Sequence, residues 1–197
     1  WEQRKTDWGA EIEATSTEKA RQVGRRYARM QQDPHNLGNY IFFWGAKQET
    51  TATWFNLFLD DGRRLESVEV LDFIWSGTWP RHLAPRAEDL TINGMHGLEN
   101  IRLKAGAAAV ADFALTRGDS KGTKVHWEIV AESDDKRTGG DAEEVPDTVA
   151  FDTRGAGKTH LDFVVPEQAG AYRLFLYVYG KGRTAATANI PFYVEAE

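Results

Sequence analysis

Five large apolar side chains follow one another at Tyr40-Ile41-Phe42-Phe43-Trp44, closed by Gly45 and then by Ala46-Lys47-Gln48-Glu49. A strand with no polar face must be covered on both sides, the situation of a parallel strand inside an α/β layer. The abrupt change to a cation, an amide and a carboxylate is how such layers present chemistry at strand ends. Residues 1–13 carry scattered charge without a period and read as loop. Thr15-Ser16-Thr17-Glu18 is a capping-box pattern, and Ala20, Val23, Tyr27 and Met30 then share one helical stripe. The helix is expected to end near Gln32, because Asp33-Pro34 disfavours continuation. Arg21, Arg25, Arg26 and Arg29 lie largely off the stripe and read as its solvated face. Beyond the apolar run, Asp60-Asp61-Gly62 signals a turn. Leu65, Val68, Leu71 and Trp75 recur at helical spacing, which predicts a second helix over residues 65–75. Loop, helix, buried strand, long loop and helix make the last part of an α/β repeat, which would leave strand edges unpaired by itself.

From Leu90 the period becomes two. Val125, Trp127 and Ile129 alternate with Lys124, His126 and Glu128; Tyr172, Leu174, Leu176 and Val178 alternate with Arg173, Phe175, Tyr177 and Tyr179. Ile190, Phe192 and Val194 follow the same rule, and shorter strands are expected around 101–103, 109–115, 149–151 and 161–165. Short alternating strands punctuated by glycine predict an antiparallel β-sandwich. The expected organisation is therefore residues 1–80 as an α/β portion, 81–89 as a proline-containing connector, and 90–197 as the sandwich.

Composition narrows the function classes. The 197 residues suffice for one large domain or two small ones. Six of the seven tryptophans fall in the first 79 residues, which supports two units. No cysteine is present, so disulfides, thiolate metal sites and thiol nucleophiles are excluded. A net charge of −6 without a basic run argues against nucleic acid. No apolar stretch approaches the ~20 residues of a membrane span, and no signal peptide is evident. Trp1 as first residue reads as a processed or truncated end. The five histidines form no zinc-type spacing. The polar stretch 132–146 holds five carboxylates between Asp134 and Glu144. Calcium takes such oxygens, but the spacing fits no EF-hand. A solvated loop, or one reaching back to the first unit, is the preferred reading, and no metal or other cofactor is expected.

The ordered set Thr6-x-Trp8-Gly9-Ala10, Leu37-Gly38-x-Tyr40-x-Phe42-x-Trp44-Gly45-x-Lys47-Gln48-Glu49-x-Thr51-x-Thr53-Trp54-Phe55 and Ile74-Trp75-x-Gly77-x-Trp79-Pro80 resembles the end of the catalytic barrel in bacterial proteins similar to family 2 glycoside hydrolases. The stretch Gln168-Ala169-Gly170-Ala171-Tyr172 resembles the entry to a late strand in immunoglobulin-like and polycystic-kidney-disease-like domains, with Trp127 as core tryptophan and Tyr172 as corner tyrosine. The first resemblance implies that residues 40–44 are the last strand of a (β/α)8 barrel, followed by an Ig-like sandwich. It also implies a glycoside hydrolase or transglycosylase acting on a β-linked, glucan-like polysaccharide in the full-length protein. The catalytic glutamate pair such chemistry needs matches no residue here, so the catalytic residues are unassigned.

By the same resemblance Trp44 floors a sugar subsite, and the expected substrate-binding set is Trp44, Lys47, Gln48, Glu49 and Trp54. A carboxyl against an aromatic ring can have a raised pKa, which brings Glu49 and Glu2 into view. Each lacks a second carboxylate, and Glu49 beside Lys47 reads as an ion pair. Alternatives are a non-catalytic carbohydrate-binding module and a structural or interaction sandwich, with the rest of the barrel as a separate chain. The expected location is periplasmic or extracellular.

Overall fold

The computed structural model describes residues 4–118, 122–133, 135, 137, 141 and 143–196. Trp1, Glu2 and Asp134, singled out above, lie outside the described residues. The first helix, α1, spans Ser16–Gln31 and starts on the expected capping box. The Glu18 N–H donates to Thr15 Oγ1 (3.1 Å), while the Thr15 N–H donates to Glu18 Oε2 (2.7 Å). The second helix, α2, spans Glu66–Ser76 and stops on Gly77 at φ 73°, whose N–H returns to the Phe73 carbonyl. A left-handed residue there favours glycine and satisfies an orphan carbonyl. The helices meet where Gly24 faces Val70. Between them Tyr27, Leu57 and Leu71 form a small core, with Val23, Ile41, Phe58, Val68 and Ile74 around it.

Residues 40–44 are not a strand and pair with none. Ile41 and Phe43 are half-buried, while Tyr40, Phe42 and Trp44 are exposed. The unbroken apolar run thus belongs to one irregular segment, in which Ile41 packs on the helix-pair core while Tyr40, Phe42 and Trp44 reach solvent. Its continuity does not mark burial on both sides. The expected fold class, α/β plus all-β with the end of a (β/α)8 barrel, is accordingly corrected. Two α-helices are described, no strand lies between them, and from Arg86 on the described residues form a two-sheet β-sandwich. The resemblance to a family 2 glycoside hydrolase barrel falls with it, since its eighth strand does not exist.

Among the described residues the sandwich uses nine strands: β1 (Arg86–Ile92), β2 (Arg102–Lys104), β3 (Ala108–Arg117), β4 (Lys124–Ala131), β5 (Thr148–Val149), β6 (Thr153–Ala156), β7 (His160–Val164), β8 (Gly170–Gly180) and β9 (Thr184–Glu195). One sheet has the order β1-β3-β7-β6, the other β2-β9-β8-β4-β5. All pairs are antiparallel except β2 with β9. Ile92, Ala111, Phe163, Leu174, Ile190 and Phe192 meet between the sheets. In β1, Asp89 at φ 53° shifts the register, so Ala87, Leu90 and Ile92 all turn inward despite their uneven spacing.

The N-terminal portion covers an open edge of the second sheet. The Ala185 N–H of β9 donates to the Arg64 carbonyl (3.0 Å), and the Thr187 N–H to Ser16 Oγ (2.9 Å). A bare row of such donors would invite pairing with another chain. At the other sheet, buried Glu66 and Glu69 of α2 meet Arg86 and Arg117. The helices are thereby fastened to both sheets.

Candidate functional site

Three features with functional potential lie in or beside the N-terminal portion: an aromatic surface, a polar hub and a groove on the second sheet. The surface begins with the irregular segment. Tyr40 is 100 % exposed, Phe42 74 %, Trp44 54 % and Trp75 56 %. Trp44 lies edge-on to Phe58 (centroids 5.2 Å apart) and 6.1 Å from Trp75 of α2. At the same helix end Phe73 and Trp79 stack at 4.4 Å with planes 10° apart, both still exposed. Soluble chains seldom leave so many large rings together in water, and contiguous apolar patches mark interaction sites.

The five residues expected to bind substrate do not converge. Lys47 and Glu49 pair with each other, and the Lys47 ammonium lies 5.4–5.6 Å from the rings of Phe42, Phe43 and Phe55. Trp54 sits half-buried beside Phe55. Trp44 joins the α2 surface, whereas Gln48 turns to a small cleft against the sandwich. Glu49 has no second carboxylate as a catalytic partner; its partner is Lys47.

The hub is built on Glu13, which patterning does not single out. It accepts from Lys19, Thr51, Thr53 and Asn189, tying α1 and the segment after Glu49 to β9. Burial works to raise the Glu13 pKa, but the adjacent Lys19 ammonium and the donated hydrogen bonds outweigh it and hold the carboxyl below its ordinary range. Nearby, Arg173 of β8 is 2 % exposed. It forks onto Glu132 (3.0 and 2.7 Å) and donates to Asn189 Oδ1 (2.6 Å) and the Glu11 carbonyl (2.8 Å). Alternation along β8 places Arg173 outward; burial follows because the N-terminal portion covers that face. The acidic stretch also reaches back, as Glu143 accepts the Thr50 N–H (2.6 Å).

The groove runs over the outer face of β8 and β4. Phe175, Tyr177 and Tyr179 form a ladder of near-parallel rings, with centroids 6.0 and 6.5 Å apart. Two cavities, of about 80 and 260 Å3, lie side by side along this channel and share Ala52, Glu128 and Tyr177 in their walls. Asp60, Asp61 and His126 line its wider end.

Groups suited to catalysis are absorbed elsewhere. Glu66 and Glu69 are buried but held by arginines. His160 lies on the surface between Asp112 (2.8 Å) and Asp162 (3.1 Å), whose carboxylates raise its pKa. Among the described residues no group of three or more His, Cys, Asp or Glu could hold a metal ion. No helix among them is long and apolar enough to cross a membrane.

No protein family and no curated protein matches the sequence. Among solved structures the chain is similar to CopC from Methylosinus trichosporium OB3b, at 13 % identity and a TM-score of 0.35, covering 57 % of this chain and 96 % of that one. It is also similar to PcoC, a methionine-rich copper resistance protein from Escherichia coli (16 %, TM-score 0.33, 57 % and 99 % covered). A third is the PmoD soluble domain from Methylocystis sp. ATCC 49242 (Rockwell), at 13 %, TM-score 0.30, with 48 % and 77 % covered. Likeness this slight transfers no ligand to this chain. The barrel strand that was to carry Trp44 to a sugar is absent among the described residues. The glycan-active reading, the polysaccharide partner, the carbohydrate-binding alternative and the missing barrel chain are therefore corrected.

Proposed function

We propose that this chain is a docking module, in which the aromatic surface of the N-terminal portion is covered by an apolar protein surface. The observation that supports it is the exposure of Trp44 and Trp75 in mutual ring contact. Tryptophan and tyrosine dominate the energetics of protein interfaces, because they bury much apolar area with few rotatable bonds. Here they are presented by the end of a capped helix and by a segment anchored through Ile41, so little ordering is lost on contact. The net charge of −6 disfavours an anionic lipid surface as the occupant. Within this proposal Trp44 remains a contact residue, while Lys47 and Glu49 shape the rim by pairing beside Phe42 and Phe55. A periplasmic or extracellular setting belongs to the same proposal, since a chain without cysteine is indifferent to an oxidising compartment.

The test is a photo-crosslinking amino acid at position 75 in the producing cell. One dominant protein adduct is expected, with its yield falling sharply in Trp44→Ala. Adducts to lipid alone, or a pattern matching that from a control at exposed Lys124, would refute docking.

A further inference from the structure

At the Tyr179 end of the ring ladder over β8 one guanidinium is already held. Arg63 lies over the Tyr179 ring, with Cζ 4.9 Å from the centroid, and its Nε donates to Asp61 (2.8 Å). The aromatic face attracts the cation while the carboxylate takes its N–H groups. One rung along the ladder the same ingredients recur. Tyr177 is flanked by Glu128 on the opposed strand, by His126 with ring centroids 6.0 Å apart, and by Asp60 at the channel wall. Neither Glu128 nor Asp60 pairs with a cation among the described residues; Glu128 accepts only the Thr148 hydroxyl (2.5 Å). The nearest buried cation, Arg173, is committed to Glu132.

We infer that the channel beside Arg63 is a binding site for a second, external guanidinium group, such as the side chain of an arginine in a peptide. The flat cation lies on the Tyr177 ring, with its N–H groups directed to Glu128 and Asp60. Channel dimensions agree: the wider cavity of about 260 Å3 accommodates a side chain rather than a large cofactor. The site lies between residues 52–61 and the sandwich and shares no lining residue with the docking surface around Trp44 and Trp75, so each is tested separately. A delocalised, weakly hydrated guanidinium suits a stacked and forked position better than an ammonium does. Phenol ionisation does not compete, because burial and the neighbouring Glu128 raise the Tyr177 pKa.

The test titrates residues 1–197 with N-acetyl-arginine amide and with its neutral isostere N-acetyl-citrulline amide, following backbone amide shifts by NMR at low salt. Saturable shifts at Tyr177 and His126 are expected for the arginine compound and not for citrulline. Raising salt should weaken binding as the charges are screened. Glu128→Gln and Asp60→Asn should each weaken binding by about tenfold, the scale of one charge-assisted hydrogen bond. Asp60 is exposed, so the second variant keeps the test valid if the first perturbs β4. An Arg-Gly-Gly peptide binding more tightly than the amide would identify a peptide source, and equal affinity a free guanidinium; both support the site. Equal shifts with citrulline, no shift at Tyr177, or unchanged affinity in both variants would overturn it.

Discussion

Glu69 of α2 and Arg117 of β3 face each other across the joint between helices and sandwich, with Oε2 3.2 Å from Nη2. The carboxyl is fully buried. Burial pushes its pKa up from 4.5 to about 7, against the pull of the Ala84 N–H and of Arg117 and Arg64. A folded-state pKa above the unfolded value means that the native state holds the proton more tightly. The associated stability is complete below about pH 4.5 and is lost as pH rises through about 7. At 1.36 kcal/mol per pK unit the whole effect is about 3 kcal/mol at most. Urea unfolding of the wild type should therefore show falling stability from pH 5 to 8. Glu69→Gln keeps an acceptor for Ala84 and should flatten that decline. His160, whose pKa is also raised, titrates in both proteins and cancels in the difference. Parallel pH profiles would contradict the assignment.

Arg173 tests how firmly the N-terminal portion is seated. Arg173→Met should destabilise the chain by about 3–5 kcal/mol, because it leaves Glu132 charged and unpaired in a half-buried position. Arg173→Lys should recover little, since a point ammonium cannot reproduce the fork onto Glu132 and the bonds to Asn189 and Glu11. Denaturant titration at neutral pH reads both, and a near-wild-type lysine variant would show the fork to be dispensable.

The hub at Glu13 has the opposite pH sign to Glu69. Its folded pKa lies below the ordinary value, so the stability it contributes is present above about pH 4.5 and is lost as pH falls through the folded pKa. Glu13→Gln should cost about 2–3 kcal/mol at pH 7, the scale of hydrogen bonds to a charged group. It should also lose less stability than the wild type on acidification. Thermal melts at pH 7 and pH 3.5 distinguish this from a simple loss of packing, which would shift both equally.

What is legible in the sequence follows from which interactions are local. The capping box at Thr15 and the helical spacing from Leu65 to Trp75 are set by contacts within a turn or two, and both helices appear within a residue or so of expectation. Strands β3, β4, β7, β8 and β9 also announce themselves, because alternation depends on a two-residue period. Strand β1 does not, since Arg86 and Asp89 give it a polar face and a bulge. The segment 40–44 misleads for a deeper reason: an apolar run states that side chains seek cover, not what provides it. In the candidate sites Trp44 and Lys47 stand out by residue type. The groove does not, because Asp60, Glu128 and Tyr177 meet only through tertiary packing. Arg173 looks solvated in the strand pattern because its cover arrives from residues near the chain start.

Truncating the aromatic surface should separate folding from docking. Trp44→Ala combined with Trp75→Ala removes rings that are already half in water, so the stability of the isolated chain should fall by about 1–2 kcal/mol, below the range for a buried tryptophan. Crosslinking from a nearby position should meanwhile be lost. Unfolding of the double variant under native conditions would mean instead that these rings hold the helices together.

Two glycines allow the backbone account to be checked without removing any side chain of a candidate site. Gly77 stands at φ 73°, and no heavy atom lies within 4 Å of the place its Cβ would take, so Gly77→Ala meets no clash and bears only the left-handed strain. That costs about 1 kcal/mol. Gly24 lies inside α1, where a methyl group would touch Val70 Cγ1 at 3.4 Å, an ordinary van der Waals distance. There alanine removes the entropic penalty of glycine in a helix and fills the crossing with α2, so Gly24→Ala should stabilise by about 0.5–1 kcal/mol. Chemical denaturation of the two single variants should move the midpoint in opposite directions. A destabilised Gly24→Ala would show that α1 and α2 cross too closely for a methyl group, and that the fit between the helices depends on glycine as much as the end of α2 does.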